Sequence, residues 1–245
     1  MAGHSHWANI AHKKAAIDRK RGRIFSKIAR RIIAAAKAGG GDPNGNIKLK
    51  YAVQAARAAN MSNDQIQRAI QRAVGGTDAD AFDELVYEGY APGGAAVLVE
   101  ALTDNRNRTG GEIRSIFTKR GGNLGSTGSV AWQFERLAIV RVPADSITED
   151  ELMLAVLEAG ADDIERDGEH FEIRGAVDAL SAIQAAVEAA GLKCASADVS
   201  YVPKDEVPVD AETGRSVAAL LEALEENDDV QNVYSNAEFP DDFEA

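Results

Sequence analysis

The spacing of apolar residues in the first 75 residues predicts three helices. Ile24, Ile28 and Ile32 recur every four residues within the first of them, which is close to the helical period. Ser62 and Gln65 form a capping-box pattern that predicts where the third helix begins. The predicted helices run from about Ala15 to Lys37, from about Ile47 to Ala59 and from Ser62 to Val74. We expect them to form one small helical domain.

From Phe82 onwards the chain has short apolar runs separated by glycine and proline, a pattern typical of strands. The turn Ala91-Pro92-Gly93-Gly94 is expected to join the first two strands. A helix is predicted to begin at the capping-box pattern Thr109-x-x-Glu112 and to end at Gly121. The strands predicted in this part cover residues 85–87, 95–99 and 130–134.

Residues 137–202 contain a set of elements in the order strand, helix, strand, strand, helix, strand. Thr148-x-x-Glu151 predicts the start of the first helix, and Asp167-Gly168 predicts a hairpin turn between the two middle strands. This βαββαβ order is that of the ferredoxin-like motif. The βαββαβ set is complete within residues 137–202. A later helix predicted over 215–225 and a strand predicted over 230–234 therefore have no partners within it.

We therefore expect an α+β protein of three domains, in which one domain is inserted into another. The last helix and strand would complete the ββαβ set that begins at Phe82. The predicted domains are a basic helical domain, residues 1–78; a discontinuous α/β domain, residues 79–136 plus 206–245; and an inserted ferredoxin-like βαββαβ domain, residues 137–205. A simple tandem of three domains is the alternative.

Charge is divided unequally along the chain, whose 245 residues carry a net charge of −12. Through Thr77 there are 15 Lys and Arg against 3 Asp and Glu, which gives +12. The remaining residues carry 12 and 36, which gives −24. This asymmetry suggests a polyanion-binding segment on an acidic body. Two domains that simply attract each other are the alternative.

The composition, with 45% hydrophobic and 27% charged residues, is that of a soluble globular protein. No apolar run approaches the roughly 20 residues that a membrane span needs, and the N-terminus lacks the apolar region of a signal peptide. The single cysteine, Cys194, cannot form an internal disulfide, which fits a reducing compartment. We expect a cytoplasmic protein without a membrane partner.

The polar face of the first predicted helix is almost entirely basic. No acid occurs between Asp18 and Asp42, whereas a solvated face normally mixes both signs. Clustered like charges repel one another, and a polyanion such as the phosphate backbone of a nucleic acid relieves that repulsion. The candidate contacts on this helix and directly before it are Lys13, Lys14, Arg19, Lys20, Arg21, Arg23, Lys27, Arg30 and Arg31.

Two further segments extend the predicted nucleic-acid surface. The third predicted helix carries Arg68 and Arg72 among glutamines, a composition that can contact base edges. The loop that contains Arg106 and Arg108 precedes a predicted helix, and helix N-termini bind anions readily. The alternative for this loop is an Asn/Asp-rich turn whose arginines pair with nearby acids.

The N-terminal segment His4-Ser5-His6-Trp7 is a third candidate, because a flexible arm with donors and an aromatic ring suits stacking on bases. Trp7 packed on the helical core is an equal alternative. A metal site built from His4, His6 and His12 is a weaker interpretation, since neither a cysteine nor an acid lies nearby to complete the ligands.

No set of residues typical of catalysis is discernible, so we expect no enzymatic activity, cofactor, metal or small-molecule substrate. The glycine-rich run from Gly121 to Ser129 lacks the Lys-Ser/Thr ending of a phosphate loop and leads into a predicted strand. We interpret it as a flexible connection. Cys194 is expected to be a core thiol, and His170 has no evident partner.

Several motifs, in order along the whole chain, resemble the YebC/PmpR family. The segments that carry the resemblance are Gly3 to Trp7, Lys13 to Lys27, Gly40-Gly41-Asp42-Pro43, Tyr87 to Gly94, Leu102 to Thr109 and Gly121 to Gly125. Ala91 departs from the pattern, because family members usually have glycine at this point of the turn.

The resemblance implies a three-domain fold with a helical N-terminal domain and without catalytic activity. Many members of the family are called DNA-binding transcriptional regulators. Others, including mitochondrial relatives, look like ribosome-associated translation factors that help with difficult stretches such as consecutive prolines. The basic helix supports polyanion binding without choosing between them. We favour ribosomal RNA as the target, and thus a translation factor. The reason is that an almost uniformly basic face binds phosphate but makes few base-specific contacts. A DNA-binding regulator of transcription is the alternative.

Overall fold

The computed structural model describes residues 17–75, 82–240 and 243, with side chains from residue 22 onwards. Over these ranges the chain divides into two compact units, one of residues 134–204 and one of the remaining residues. Helices and mainly antiparallel sheets occur together, so the predicted mixture of α and β structure is confirmed.

Residues 17–75 form three helices, as the hydrophobic spacing predicted. The helices are α1 (Ile17–Gly39), α2 (Ile47–Ala58) and α3 (Asn63–Gly75). The predicted capping box is present, because the Gln65 amide donates to Ser62 Oγ and the Ser62 amide donates to Gln65 Oε1. Ile32, Leu49 and other apolar side chains of the three helices share one core. Val74 was predicted to be inward but is 65% exposed, because it lies at the margin of the buried stripe, about 80° from Ile66 on the helical wheel.

A four-stranded sheet follows, in the order β3-β1-β2-β9. Its strands are β1 (Asp83–Tyr90), β2 (Ala96–Thr103), β3 (Asn123–Leu124) and β9 (Val230–Ser235), all paired in antiparallel fashion. Helices α4 (Arg106–Lys119) and α7 (Ala211–Glu225) cover one face. Val97 and Val99 of β2 are fully buried in that core, together with Phe117 of α4 and Leu221 of α7. Strand β9, which follows residues 134–204 in the chain, therefore completes the sheet begun at residue 83.

Helix α4 begins earlier than its predicted capping box. Asn105 is the N-cap residue, and its side-chain oxygen accepts a hydrogen bond from the Arg108 amide at 3.1 Å. Thr109, predicted as the cap, lies one turn inside the helix and is fully buried. Asn105 and Thr109 both match the residue preference of N-caps. Thr109 lies inside the helix instead, where its hydroxyl donates a hydrogen bond to Asp229.

The unit of residues 134–204 has one antiparallel sheet in the order β5-β6-β4-β7. Its elements are β4 (Phe134–Pro143), α5 (Glu149–Val156), β5 (Ala161–Asp167), β6 (His170–Gly175), α6 (Leu180–Ala189) and β7 (Ser196–Pro203). The predicted capping box of Thr148 and Glu151 begins α5. The prediction of a strand over 130–134 was wrong, since residues 131–133 form a 3-10 turn and the strand starts at Phe134.

Short parallel strands β8 (Val207–Pro208) and β10 (Ala237–Glu238) form a further small sheet. They bring together the segment before α7 and the segment after β9. Phe239 beyond β10 is buried in the same core as α7.

Candidate nucleic-acid interface

The basic face of α1 lies against the C-terminal end of α7. Arg23 Nη1 donates to Glu226 Oε1 at 3.0 Å, and Lys27 Nζ donates to the Glu225 carbonyl oxygen. Arg30 Nη1 donates to the Asp228 carbonyl oxygen and to Asp229 Oδ1, the latter at 2.6 Å. The last carbonyl groups of a helix lack partners within it and carry partial negative charge. Lys27 therefore supplies a hydrogen bond that this end of α7 needs, while Arg23 and Arg30 bind oxygens of the residues that follow the helix.

Asp229 is the centre of this contact and is only 3% exposed. Its Oδ1 accepts from Arg30, while its Oδ2 accepts from Arg108 Nη2 and from Thr109 Oγ1, both at 2.6 Å. Burial acts to raise the pKa of Asp229, but the hydrogen bonds from Thr109 and Arg108 and the charges of Arg108 and Arg30 outweigh it and lower that pKa. A buried carboxylate thus joins the helical domain to the start of α4.

The two arginines of the loop before α4 are both paired with carboxylates. Arg106 Nε and Nη2 donate to the two oxygens of Asp83 at 2.7 and 3.0 Å, a bidentate arrangement. Arg108 also contacts Asp104 at 2.9 Å. This is the arrangement that the alternative interpretation described, and a nucleic-acid contact by either arginine stays a prediction.

The outward face of α3 carries amide and guanidinium groups. Its exposed residues include Gln65, Gln67, Arg68, Gln71 and Arg72. Arg68 Nε donates to the Asp64 carbonyl oxygen one turn earlier, which directs the guanidinium along the helix. A four-residue turn, residues 59–62, connects α2 to α3 and contains Asn60 in the left-handed conformation at φ 61°. Two helices joined by a turn of this length are typical of helix-turn-helix motifs.

Two exposed cations of α2, Lys50 and Arg57, add to the positive charge of the helical domain. They are seven residues apart and therefore lie on the same side of α2. Lys48 is on another side, where it pairs with Glu84 of β1 at 3.3 Å. Arg31, which follows Arg30 on α1, is partly exposed.

The remaining predicted contacts lie where the structure gives no side chains. Residues 1–16 are outside the described ranges, and α1 is described from residue 17 without the side chains of residues 17–21. The predicted site residues concerned are His4, Ser5, His6, Trp7, Lys13, Lys14, Arg19, Lys20 and Arg21. They stay predictions.

Glu88 is a buried carboxylate that the sequence did not reveal as important. It is 4% exposed, and it accepts hydrogen bonds from the backbone amides of Gly128, Val130 and Ala131 at 2.7 to 2.8 Å. Burial acts to raise its pKa, but the three amides outweigh burial and lower it. The glycine-rich run is therefore anchored at this end, which corrects its interpretation as a flexible connection. The same hydrogen bonds occupy two amides that the predicted strand would have used.

The described residues contain little that suggests other chemistry. Burial raises the pKa of the Cys194 thiol to about 11, and its Sγ donates to the Ser196 carbonyl oxygen at 3.2 Å, so the reactive thiolate is scarce at neutral pH. Within residues 17–75 and 82–240, no group of three or more His, Cys, Asp or Glu is arranged to hold a metal ion. No helix in these ranges is long and apolar enough to cross a membrane.

Comparison with known proteins assigns the chain to a family. The sequence profile of the TACO1/YebC protein N-terminal domain matches residues 5–76, and that of the TACO1/YebC second and third domain matches residues 82–237. The chain belongs to the TACO1/YebC family, and the resemblance to YebC proteins seen in the sequence is confirmed.

The similarity to known proteins covers nearly the whole chain. A probable transcriptional regulatory protein of Rubrobacter xylanophilus is 53% identical and covers 96% of this chain and 95% of its own length. One from Moorella thermoacetica is 51% identical over 98% of this chain and 96% of its own. The crystal structure of a conserved hypothetical protein from Aquifex aeolicus has a TM-score of 0.88 at 44% identity and covers 97% and 98% of the two chains. The curated relatives carry the name of regulators rather than of enzymes, and that name fits the transcription alternative better than the translation factor favoured above.

Proposed function

We propose that this chain is a non-enzymatic DNA-binding regulator of transcription whose helical domain contacts the DNA. The exposed face of α3 is the observation that carries the proposal. It presents Arg68 and Arg72 together with three glutamines on the second of two helices that a four-residue turn connects. Guanidinium groups pair with guanine edges and phosphates, and glutamine amides pair with adenine edges. This face can therefore read sequence as well as bind the backbone.

The distribution of charge supports α2 and α3 over α1 as the surface that meets DNA. Arg23, Lys27 and Arg30 of α1 already bind oxygens of residues 225–229. Lys50, Arg57 and the cations of α3 lie on the exposed surface of the same positive domain. The cations between residues 13 and 21 belong to this domain in the sequence and would add phosphate contacts.

The relatives supply independent support, since several are named probable transcriptional regulatory proteins. Ribosomal RNA, the target favoured by the first helix alone, becomes the competing outcome. Sedimentation of cell lysate distinguishes the two. Comigration with ribosomes that survives DNase would replace transcription by translation as the function.

Charge reversal on α3 tests the proposal directly. We expect the variant R68E/R72E to bind duplex DNA at least tenfold more weakly. Because each lost phosphate contact lowers the slope of log K against log salt by about 1, the slope should fall by about 2. Fluorescence anisotropy of a labelled duplex at several salt concentrations measures both quantities.

A matched control makes the same change of charge elsewhere. Lys193 and Lys204 are exposed residues of the 134–204 unit, and K193E/K204E should leave the DNA affinity within about threefold of the wild type. Equal weakening in both variants would mean that only net charge matters, and normal binding by R68E/R72E would exclude α3 as the contact surface.

We further propose that the 134–204 unit is a ferredoxin-like domain inserted into the α/β domain. The βαββαβ order of its elements and the antiparallel sheet β5-β6-β4-β7 support this. Replacement of residues 137–205 by a short linker should leave a folded remainder. A fragment ending at Phe134 lacks α7 and β9 and should aggregate; a soluble, folded fragment of this kind would contradict the insertion.

A further inference from the structure

Three cations of α1 meet a row of oxygen acceptors from one short segment of the chain. Arg23, Lys27 and Arg30 lie about one turn apart, so they span about 10 Å along the helix. Their partners are two carboxylates and two main-chain carbonyl groups within residues 225–229. We call these five residues the acidic segment. A row of anionic and carbonyl oxygens offers basic side chains the same kind of acceptor as a phosphate backbone.

The acidic segment keeps its own structure when α1 is not counted. Arg108 and Thr109 bind Asp229 Oδ2, and both belong to the same α/β domain as Asp229. The Asp229 amide donates to Asn227 Oδ1, and Asn227 Nδ2 donates to Glu112. Removing Arg30 therefore leaves Asp229 with a charged partner, which avoids the large cost of a buried, unpaired carboxylate.

The contact itself contributes modest stability. Arg23 and Glu226 are 46% and 61% exposed, and such ion pairs are weak and sensitive to salt. Lys27 is less exposed, and the loss of its hydration is the main reason why its pKa is lowered despite the nearby charges of Glu225 and Asp228. The attraction thus does not fully offset the desolvation of this ammonium group.

Separation of α1 from the acidic segment also leaves both hydrophobic cores intact. Ile28, Ile32 and Leu49 belong to the core of the helical domain, while Leu221 and Leu224 of α7 belong to the core beside the sheet. These are distinct clusters. The helical domain can therefore exchange this polar contact for another without unfolding.

We propose that the acidic segment competes with duplex DNA for the basic face of α1 and so holds the DNA-binding domain in a weakly binding state. This inference rests on the proposed function and adds regulation to it. DNA first binds the exposed α3 face, and phosphates then replace residues 225–229 on Arg23, Lys27 and Arg30. The full affinity of the helical domain appears only after this replacement.

The test removes charge from the competitor while leaving every proposed DNA contact unchanged. In the full chain, E226Q/D228N changes two exposed side chains of the acidic segment. We expect the dissociation constant for a labelled 20-base-pair duplex to fall about three- to tenfold. The slope of log K against log salt should also become steeper, because salt no longer assists release in the variant.

The matched control is E212Q/E238Q, which alters net charge equally at exposed positions of the same domain. Its dissociation constant should change by less than twofold. NMR supplies a second readout: adding the duplex to the wild-type protein should shift the backbone carbonyl signals of Glu225 and Asp228, which lose their donors on α1.

The possible outcomes distinguish failure of the competition from failure of the proposed function. Equal DNA binding by wild type, E226Q/D228N and control, or unchanged carbonyl signals of Glu225 and Asp228, would overturn the competition and leave the proposed function standing. Absence of binding to DNA by all three proteins would overturn the proposed function together with this inference. Displacement of the acidic segment by an RNA hairpin but not by the duplex would replace DNA by RNA as the competitor and overturn the inference as stated.

Discussion

Replacement of Glu88 by glutamine is expected to destabilise the glycine-rich run and the sheet edge beside it. The two carboxylate oxygens accept three backbone amides, with Gly128 on Oε1 and with Val130 and Ala131 on Oε2. Glutamine keeps one oxygen and places an NH₂ group where the other oxygen was. In the better orientation the Gly128 amide faces this donor, and in the other orientation two amides do.

The expected magnitude follows from the buried donors. A buried donor left without its acceptor costs about 1–3 kcal/mol, and hydrogen bonds to a charged group contribute about 1.5–3 kcal/mol each. In the better orientation the Val130 and Ala131 amides keep the remaining oxygen, which no longer carries charge, and the Gly128 amide loses its acceptor in a part-buried position. We expect E88Q to lower the free energy of local unfolding by about 2–3 kcal/mol at pH 7.

The effect should depend on pH in a defined direction. The pKa of Glu88 is lowered in the folded protein, so its contribution is complete above the unfolded pKa of about 4.3. The contribution is lost as the pH falls through the lowered, folded-state pKa. The difference between wild type and E88Q should therefore shrink below about pH 4.

Native-state hydrogen exchange of the Gly128, Val130 and Ala131 amides measures the local free energy, and urea unfolding followed by circular dichroism measures the global one. E84Q is the matched control, because Glu84 lies on the same strand but is exposed and pairs with Lys48, which is also exposed. Its effect should stay below about 0.5 kcal/mol. An E88Q protein within 0.5 kcal/mol of wild type at pH 7, or a difference that persists undiminished at pH 3, would refute the reasoning.

Three further predictions concern other parts of the chain. T109V removes the hydroxyl that binds Asp229 at 2.6 Å and should lower stability by about 1–3 kcal/mol in urea unfolding, whereas the exposed substitution T118V should have little effect. L98A truncates a fully buried side chain of the central strand β2 and should cost about 2–5 kcal/mol; a loss below 1 kcal/mol would contradict its burial. Alkylation of Cys194 by iodoacetamide should be slow at pH 7.5 and rise about tenfold per pH unit up to its pKa of about 11, and a plateau near pH 8 would be inconsistent with that value.

The helical domain could be predicted well because its signals are local. Apolar residues at helical spacing and the capping box at Ser62 each depend on neighbouring residues alone, and both occur in the structure. Thr109 shows the limit of such signals. It satisfies the capping pattern as well as Asn105 does, yet a partner 120 residues away, Asp229, determines where it lies.

The basic face of α1 could be predicted as a face, but its partner could not. A helical wheel gives the direction of Arg23, Lys27 and Arg30 without showing what lies opposite them. The sequence offered two explanations for their charge, nucleic acid and attraction between domains, and the contacts with residues 225–229 belong to the second. Charge reversal on this face would disturb that contact as well as any binding of phosphate, so α3 is the cleaner place to test affinity.

Glu88 lay outside the reach of sequence reasoning for a different reason. Its partners are main-chain amides about 40 residues further along, and amides carry no signature in the sequence. The available signal was a single acid directly after a predicted strand, between Tyr87 and Gly89, since a carboxylate at an inward position needs donors to offset its burial.

The arrangement of the first sheet has a consequence for synthesis. β2 ends at Thr103 and its neighbour β9 begins at Val230, so 126 residues must be added between them. At about 5–20 residues per second this takes about 6–25 s. Throughout that interval one edge of β2, with Val97, Leu98 and Val99, has no strand beside it, and unpaired apolar edges recruit other chains. The speed of elongation over positions 104 to 229 therefore sets how long this edge of β2 is open to other chains.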